Sequence, residues 1–137
     1  MIAIVCLDDK NGMLFNKRRQ SQDRLLRKDI LTHLSGNLWL NAYSASQFEN
    51  TDRLVITESP LEDAPLDGTC FIENLPLKPQ EDRLHGLILY RWNRSYPASV
   101  RFDLDLAKWE LVSASEFPGH SHEKITKEYY RKKRESV

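Results

Sequence analysis

The chain opens with MIAIVCL, an apolar run from Met1 to Leu7 with no polar residue in it. A strand with one face in water alternates apolar and polar side chains. An unbroken run this short has no solvent face, so it predicts a strand covered on both sides. Strands of that kind lie inside parallel sheets whose two faces carry helices. Two later stretches, Arg53 to Thr57 (RLVIT) and Leu87 to Trp92 (LILYRW), have the same character. A single early strand of this type therefore narrows the chain to a layered α/β architecture.

The remaining punctuation fits that class. Asp8-Asp9-Lys10-Asn11-Gly12 ends the first strand in turn chemistry, and a loop is expected from Met13 to Gln20. Ser21 is placed to cap a helix running to about Leu34, with Gln22 and Asp23 in its first turn. Leu25, Leu26, Ile30 and Leu34 recur at helical spacing, and Gly36 is a natural stop. A short strand (37–40), a short helix (42–48) and the strand at 53–57 follow. An acidic, proline-bearing connection (58–68) then leads to a strand at 69–72.

Pro76 and Pro79 exclude a long helix between Leu75 and Arg83. After LILYRW, the alternation of VRFDLDL (100–106) predicts a half-exposed strand, and 109–112 and 125–131 read as extended. Lys132-Lys133-Arg134 reads as a solvated end. The expected fold class is α/β, a mixed and mainly parallel sheet with flanking helices, in a single domain spanning 1–137.

Charge and composition exclude several function classes. Lysine plus arginine equals aspartate plus glutamate at 20 each among 137 residues, so no net field draws in nucleic acid or a membrane surface. The basic residues Lys17, Arg18 and Arg19 and the Tyr90–Tyr96 stretch keep a nucleic-acid-binding module as the weakest alternative. No apolar run approaches the roughly 20 residues that span a bilayer. Cys6 and Cys70 sit inside apolar runs, which predicts buried free thiols and a reducing, cytoplasmic setting. His120-Ser121-His122 has the H-x-H spacing of some metal sites. Glu123-Lys124 follows it, however, and hairpin-edge histidines with no metal are expected. No G-x-S-x-G elbow is present, and nucleophilic catalysis is not expected.

Several stretches fall in a known order. They are Met1 to Leu7, Gly12-Met13, Ser21-Gln22-Asp23 with the helix after it, Leu38 to Ser44 and Leu54 to Thr57. Leu87 to Trp92, Arg101-Phe102-Asp103, Lys108-Trp109-Glu110 and Ser121 to Arg131 continue it. This order resembles dihydrofolate reductase, in shortened form. The resemblance implies that fold, and it implies for Asp23 the role of the family's catalytic carboxylate.

It also exposes departures. The family's Gly-Arg-x-Thr turn, where arginine answers a cofactor phosphate, reads Asn41-Ala42-Tyr43-Ser44 here. The family's Gly-Gly pair, which lets backbone approach the pyrophosphate, is replaced by Glu73-Asn74. The arginine that grips the folate carboxylate falls near Thr51 or Asp52, with Arg53 a position or two away. These changes argue against NADPH as a cofactor, so none is expected.

Arg24 and Arg27 replace apolar pocket residues, and two cations there would lower the pKa of Asp23 and favour an anion. The expected function is a reductase-like scaffold whose cleft, with Asp23, Arg24, Arg27 and Ser44, takes a small anionic ligand or a partner. The alternative is an active, divergent NADPH-dependent reductase of a pterin-like substrate. Oligomeric state is not readable from the sequence.

Overall fold

A computed structural model describes residues 1–49 and 51–133, which leaves Arg134 of the basic tail outside the described residues. In chain order the first elements are β1 (Ile2–Leu7), β2 (Gly12–Phe15), β3 (Arg18–Arg19), α1 (Arg24–Thr32), β4 (Leu38–Leu40) and α2 (Ala42–Ala45). They are followed by β5 (Leu54–Ile56), α3 (Pro60–Asp63), β6 (Thr69–Phe71), β7 (Gly86–Arg91), β8 (Val100–Arg101), β9 (Trp109–Phe117) and β10 (Ile125–Lys132). Seven strands form the main sheet in the order β5-β4-β6-β1-β7-β10-β9, and β3-β2-β8 form a small second sheet.

The opening apolar run lies in the middle of the main sheet. β1 pairs in parallel with β6 on one side (Ala3 opposite Cys70) and with β7 on the other (Ala3 opposite Leu87). Alternate residues of β1 supply separate cores. Ala3, Val5 and Leu7 pack with Leu61, Leu77 and Leu89, whereas Ile4 packs with Leu26, Ile30, Leu38 and Phe71. That is the physical content of an uninterrupted apolar strand: each face meets its own apolar layer. β4, β5 and β6 continue the parallel pairing, and only β10 and β9 run antiparallel to their neighbours. The mixed, mainly parallel α/β sheet expected from the sequence is the sheet observed.

The differences have local causes. The expected loop after Gly12 is a hairpin, with Phe15 opposite Arg18 across the two residues Asn16 and Lys17. Both residues have positive φ (49° and 63°), the requirement of the tight turns that match strand twist. Asn-Lys signals such a turn more weakly than Asn-Gly. Helix α1 begins after Asp23, not after Ser21, because the Asp23 carboxylate accepts from the Leu25 and Leu26 backbone N–H groups. Pro60 opens α3 within the acidic connection, a position where its missing N–H removes no helical bond. β5 is half-exposed because it is the edge of the sheet, and β9 at the opposite edge extends to Phe117. The strand expected over 100–106 stops at Arg101.

Candidate functional site

Asp23 is fully buried at the start of α1, and everything it touches holds it as a carboxylate. Oδ1 accepts from the backbone N–H groups of Leu25, Leu26 and His120. Oδ2 accepts from the Ser121 backbone N–H and hydroxyl and lies 3.1 Å from Nδ1 of His122. Burial alone would raise its pKa. The hydrogen bonds from His120, Ser121, His122 and Leu25 outweigh that, and they hold the group well below the ordinary carboxylate range. A proton-donating acid needs the opposite shift.

The 118–124 connection between β9 and β10 makes this clasp. A Cβ on Gly119 would lie 2.6 Å from Asp23 Oδ2, so only glycine lets the loop close over the carboxylate. His122 is not a hairpin-edge residue as its sequence position suggested. It is buried beside Asp23, and its ring stacks on Trp92 with centroids 4.5 Å apart. Its Nε2 lies 3.0 Å from the Ser21 hydroxyl and 3.0 Å from the Tyr96 hydroxyl. Sequence reasoning missed this cluster. The Pro118-Gly119 pair, where a close backbone approach can occur, was the one signal that could have suggested it. Among the described residues, no group of three or more His, Cys, Asp or Glu side chains is arranged to hold a metal ion.

Arg24 and Arg27 lie outside that clasp. They line an open groove of about 650 Å³ along α1, together with Lys28, Leu25, Leu31 and Phe48. Glu49 adds one carboxylate to its wall. Arg24 is exposed, and Arg27 Nη1 donates to Gln22 Oε1 at 3.3 Å. Ser44 is not part of this groove. It is buried in α2, and its hydroxyl has no hydrogen-bond partner among the described residues. The structure thus brings Arg24 and Arg27 together and leaves Asp23 and Ser44 elsewhere.

A second set of polar residues is paired within the chain. Glu73, buried just beyond β6, receives both Nε and Nη2 of Arg19 at 3.1 and 3.2 Å. The same guanidinium donates to the Tyr43 carbonyl and stacks over the Tyr43 ring at 4.5 Å. One residue on, Asn74 accepts from Asn41 Nδ2 at 2.8 Å, while Asn41 Oδ1 caps α2. Arg53 donates to the carbonyls of Leu31, Leu34 and Gly36, which ties down the C-terminal end of α1.

Comparison with solved structures places this topology. Dihydrofolate reductase from Enterococcus faecalis, in a structure complexed with NADP(H) and RAB-propyl, superposes at a TM-score of 0.68 and 12% identity. The match covers 97% of this chain and 96% of that one. The fold is that of dihydrofolate reductase. No family model matches the sequence, and no curated protein matches it either. The fold is therefore shared at low sequence identity. Among the described residues no helix is long and apolar enough to cross a membrane.

Proposed function

We propose that this protein uses the dihydrofolate reductase fold as a binding scaffold, and that NADPH-dependent reduction is not its activity. The observation that carries this reading is the saturation of Asp23. A carboxylate filled by backbone N–H groups and a histidine has no lone pair left for a substrate ring and no proton to give it.

The nicotinamide cofactor also fits poorly with the residues present. The turn after β6 offers the buried Glu73 carboxylate, and Arg19 is already committed to that carboxylate and to Tyr43. An incoming pyrophosphate would face Glu73 after breaking its ion pair. The groove along α1 has the opposite character. Arg24, Arg27 and Lys28 stand over Leu25, Leu31 and Phe48, a combination suited to a small ligand with an apolar body and an anionic group. Free Cys6 and Cys70 suit a reducing, cytoplasmic setting.

Fluorescence titration with NADPH tests the first half of this reading. No saturable change is expected up to millimolar cofactor, and micromolar binding would overturn it in favour of a divergent reductase. Titration with 8-anilinonaphthalene-1-sulfonate, an apolar anion, tests the groove. Saturable binding that competes with small aromatic carboxylates is expected, and no binding to the folded protein would sink the anion reading.

A further inference from the structure

The buried clasp around Asp23 also contains an arrangement that ligand binding does not use. Asp23 Oδ2, His122 Nδ1, His122 Nε2 and the Ser21 hydroxyl follow one another at 3.1 Å and 3.0 Å. An ionised carboxylate only accepts, so the facing Nδ1 carries a hydrogen, and a ring with no second hydrogen presents a lone pair at Nε2. From these contacts the geometry points to Ser21 as an activated nucleophile, with His122 as its base and Asp23 as the residue that orients the base.

Exposure follows the same order. The Asp23 and His122 side chains are 0% and 2% exposed, while Ser21 lies half-buried at the surface end of the chain of contacts. A cluster kept only for stability has no need of that gradient, but a nucleophile has to reach a substrate. The ring is also fixed against rotation, by stacking on Trp92 and by the loop that Gly119 admits.

The substrate class is a carboxylic ester. The Ser21 oxygen adds to the carbonyl carbon and its proton passes to Nε2. The bond to the leaving oxygen breaks as that oxygen takes the proton from Nε2, which releases an alcohol and leaves acyl-Ser21. Water then adds to the acyl group, passing its proton through Nε2 to the Ser21 oxygen, and the free acid departs. Beside this centre, Tyr96 and Gln20 share with Phe15, Asn16, Arg18, Arg19 and Pro97 a recess of about 460 Å³. Phe15, Tyr96 and Pro97 give it an apolar wall suited to the acyl group of a small aromatic or aliphatic ester. Tyr96 competes for the lone pair, since its hydroxyl is also 3.0 Å from Nε2.

Treating the folded full chain with a fluorophosphonate, followed by intact-mass and peptide mapping, tests this. One phosphonyl group is expected on Ser21, formed as its oxygen displaces fluoride. Ser21→Ala should abolish it, and Tyr96→Phe should speed labelling by a few-fold by freeing Nε2. p-Nitrophenyl acetate should give an acetyl adduct on the same residue. His122→Gln should slow labelling at least tenfold, with its circular dichroism compared with wild type. If His122→Gln does not fold, the Ser21 and Tyr96 variants decide the matter. An unlabelled Ser21 in folded protein, equal labelling in Ser21→Ala, or an adduct on Ser121 instead overturns the assignment.

Discussion

Replacing Asp23 with alanine is expected to be among the most destabilising single changes in the chain. The carboxylate caps α1 through Leu25 and Leu26, and losing a helix cap costs about 1 kcal/mol. It also satisfies the His120 and Ser121 backbone N–H groups, which would stay in a partly buried loop with no acceptor. Each such orphan costs about 1–3 kcal/mol. With His122 also left unpaired, and some relaxation of the loop, the loss comes to about 4 kcal/mol, a large part of an ordinary domain's stability. Asp23→Asn keeps the cap but turns an amide N–H₂ toward donors, or its carbonyl away from the cap, for about 2–3 kcal/mol.

Urea unfolding followed by tryptophan fluorescence measures both, since Trp92 stacks on His122 and reports on the clasp. The pH dependence gives a second check. The folded pKa of Asp23 is lowered, so its contribution is complete above the unfolded value of about 3.9 and shrinks as pH falls below it. The stability gap between wild type and Asp23→Asn should therefore narrow on acidification below about pH 4. An Asp23→Ala loss under about 1 kcal/mol, or a gap independent of pH, would refute the clasp.

Three further outcomes follow from other contacts. The Tyr90 hydroxyl donates to Asp29 at 2.5 Å, and Tyr90→Phe should cost about 1–2 kcal/mol in the same urea assay, with Asp29 still paired to Lys127 at 2.9 Å. The Cys70 thiol is pushed up to about 12 by burial, against a smaller lowering by Arg83, so iodoacetamide at pH 8 should label it only after unfolding. Arg24→Glu combined with Arg27→Glu reverses two partly exposed charges on the groove. Binding of 8-anilinonaphthalene-1-sulfonate should weaken about tenfold, while unfolding shifts by less than about 1 kcal/mol.

Some parts of this molecule were readable from local pattern and others were not, and the division has a physical basis. β1, β6 and β7 are buried on both sides, so their apolar runs announce them wherever the rest of the chain goes. The same holds for Leu26 and Ile30 of α1, whose spacing reflects the core they face. The helix start was misplaced at Ser21 because both Ser21 and Asp23 can cap. The choice between them is made by donors about 97 positions away in sequence, at His120 and Ser121. The burial of His122 is hidden for the same reason: its partners Ser21, Asp23, Trp92 and Tyr96 come from two other parts of the chain. Arg24 and Arg27 share a groove, as helical spacing suggested, yet no local pattern tells that Ser44 lies apart from it.

A common feature links several polar groups that the chain holds in its interior. Among the described residues, Arg19, Asn41, Asp23 and Arg53 are each answered by another residue of the chain, while the Ser44 hydroxyl has no partner. Glu73 holds Arg19, Asn74 holds Asn41, Asp23 holds the 120–122 loop, and Arg53 holds the carbonyls of Leu31, Leu34 and Gly36. A buried charge with a partner is stable, whereas the same charge stripped of its partner costs several kcal/mol. A charged ligand entering between these pairs would have to replace each partner with geometry at least as good. The cations of the α1 groove carry no such obligation, because Arg24 and Lys28 are exposed to water before any ligand arrives. On the proposed reading, an anion would bind there mainly by displacing water, with the Arg27–Gln22 contact the one side-chain bond to rearrange. On the proposed reading, the ligand site lies on the outer face of α1 and not among these paired groups.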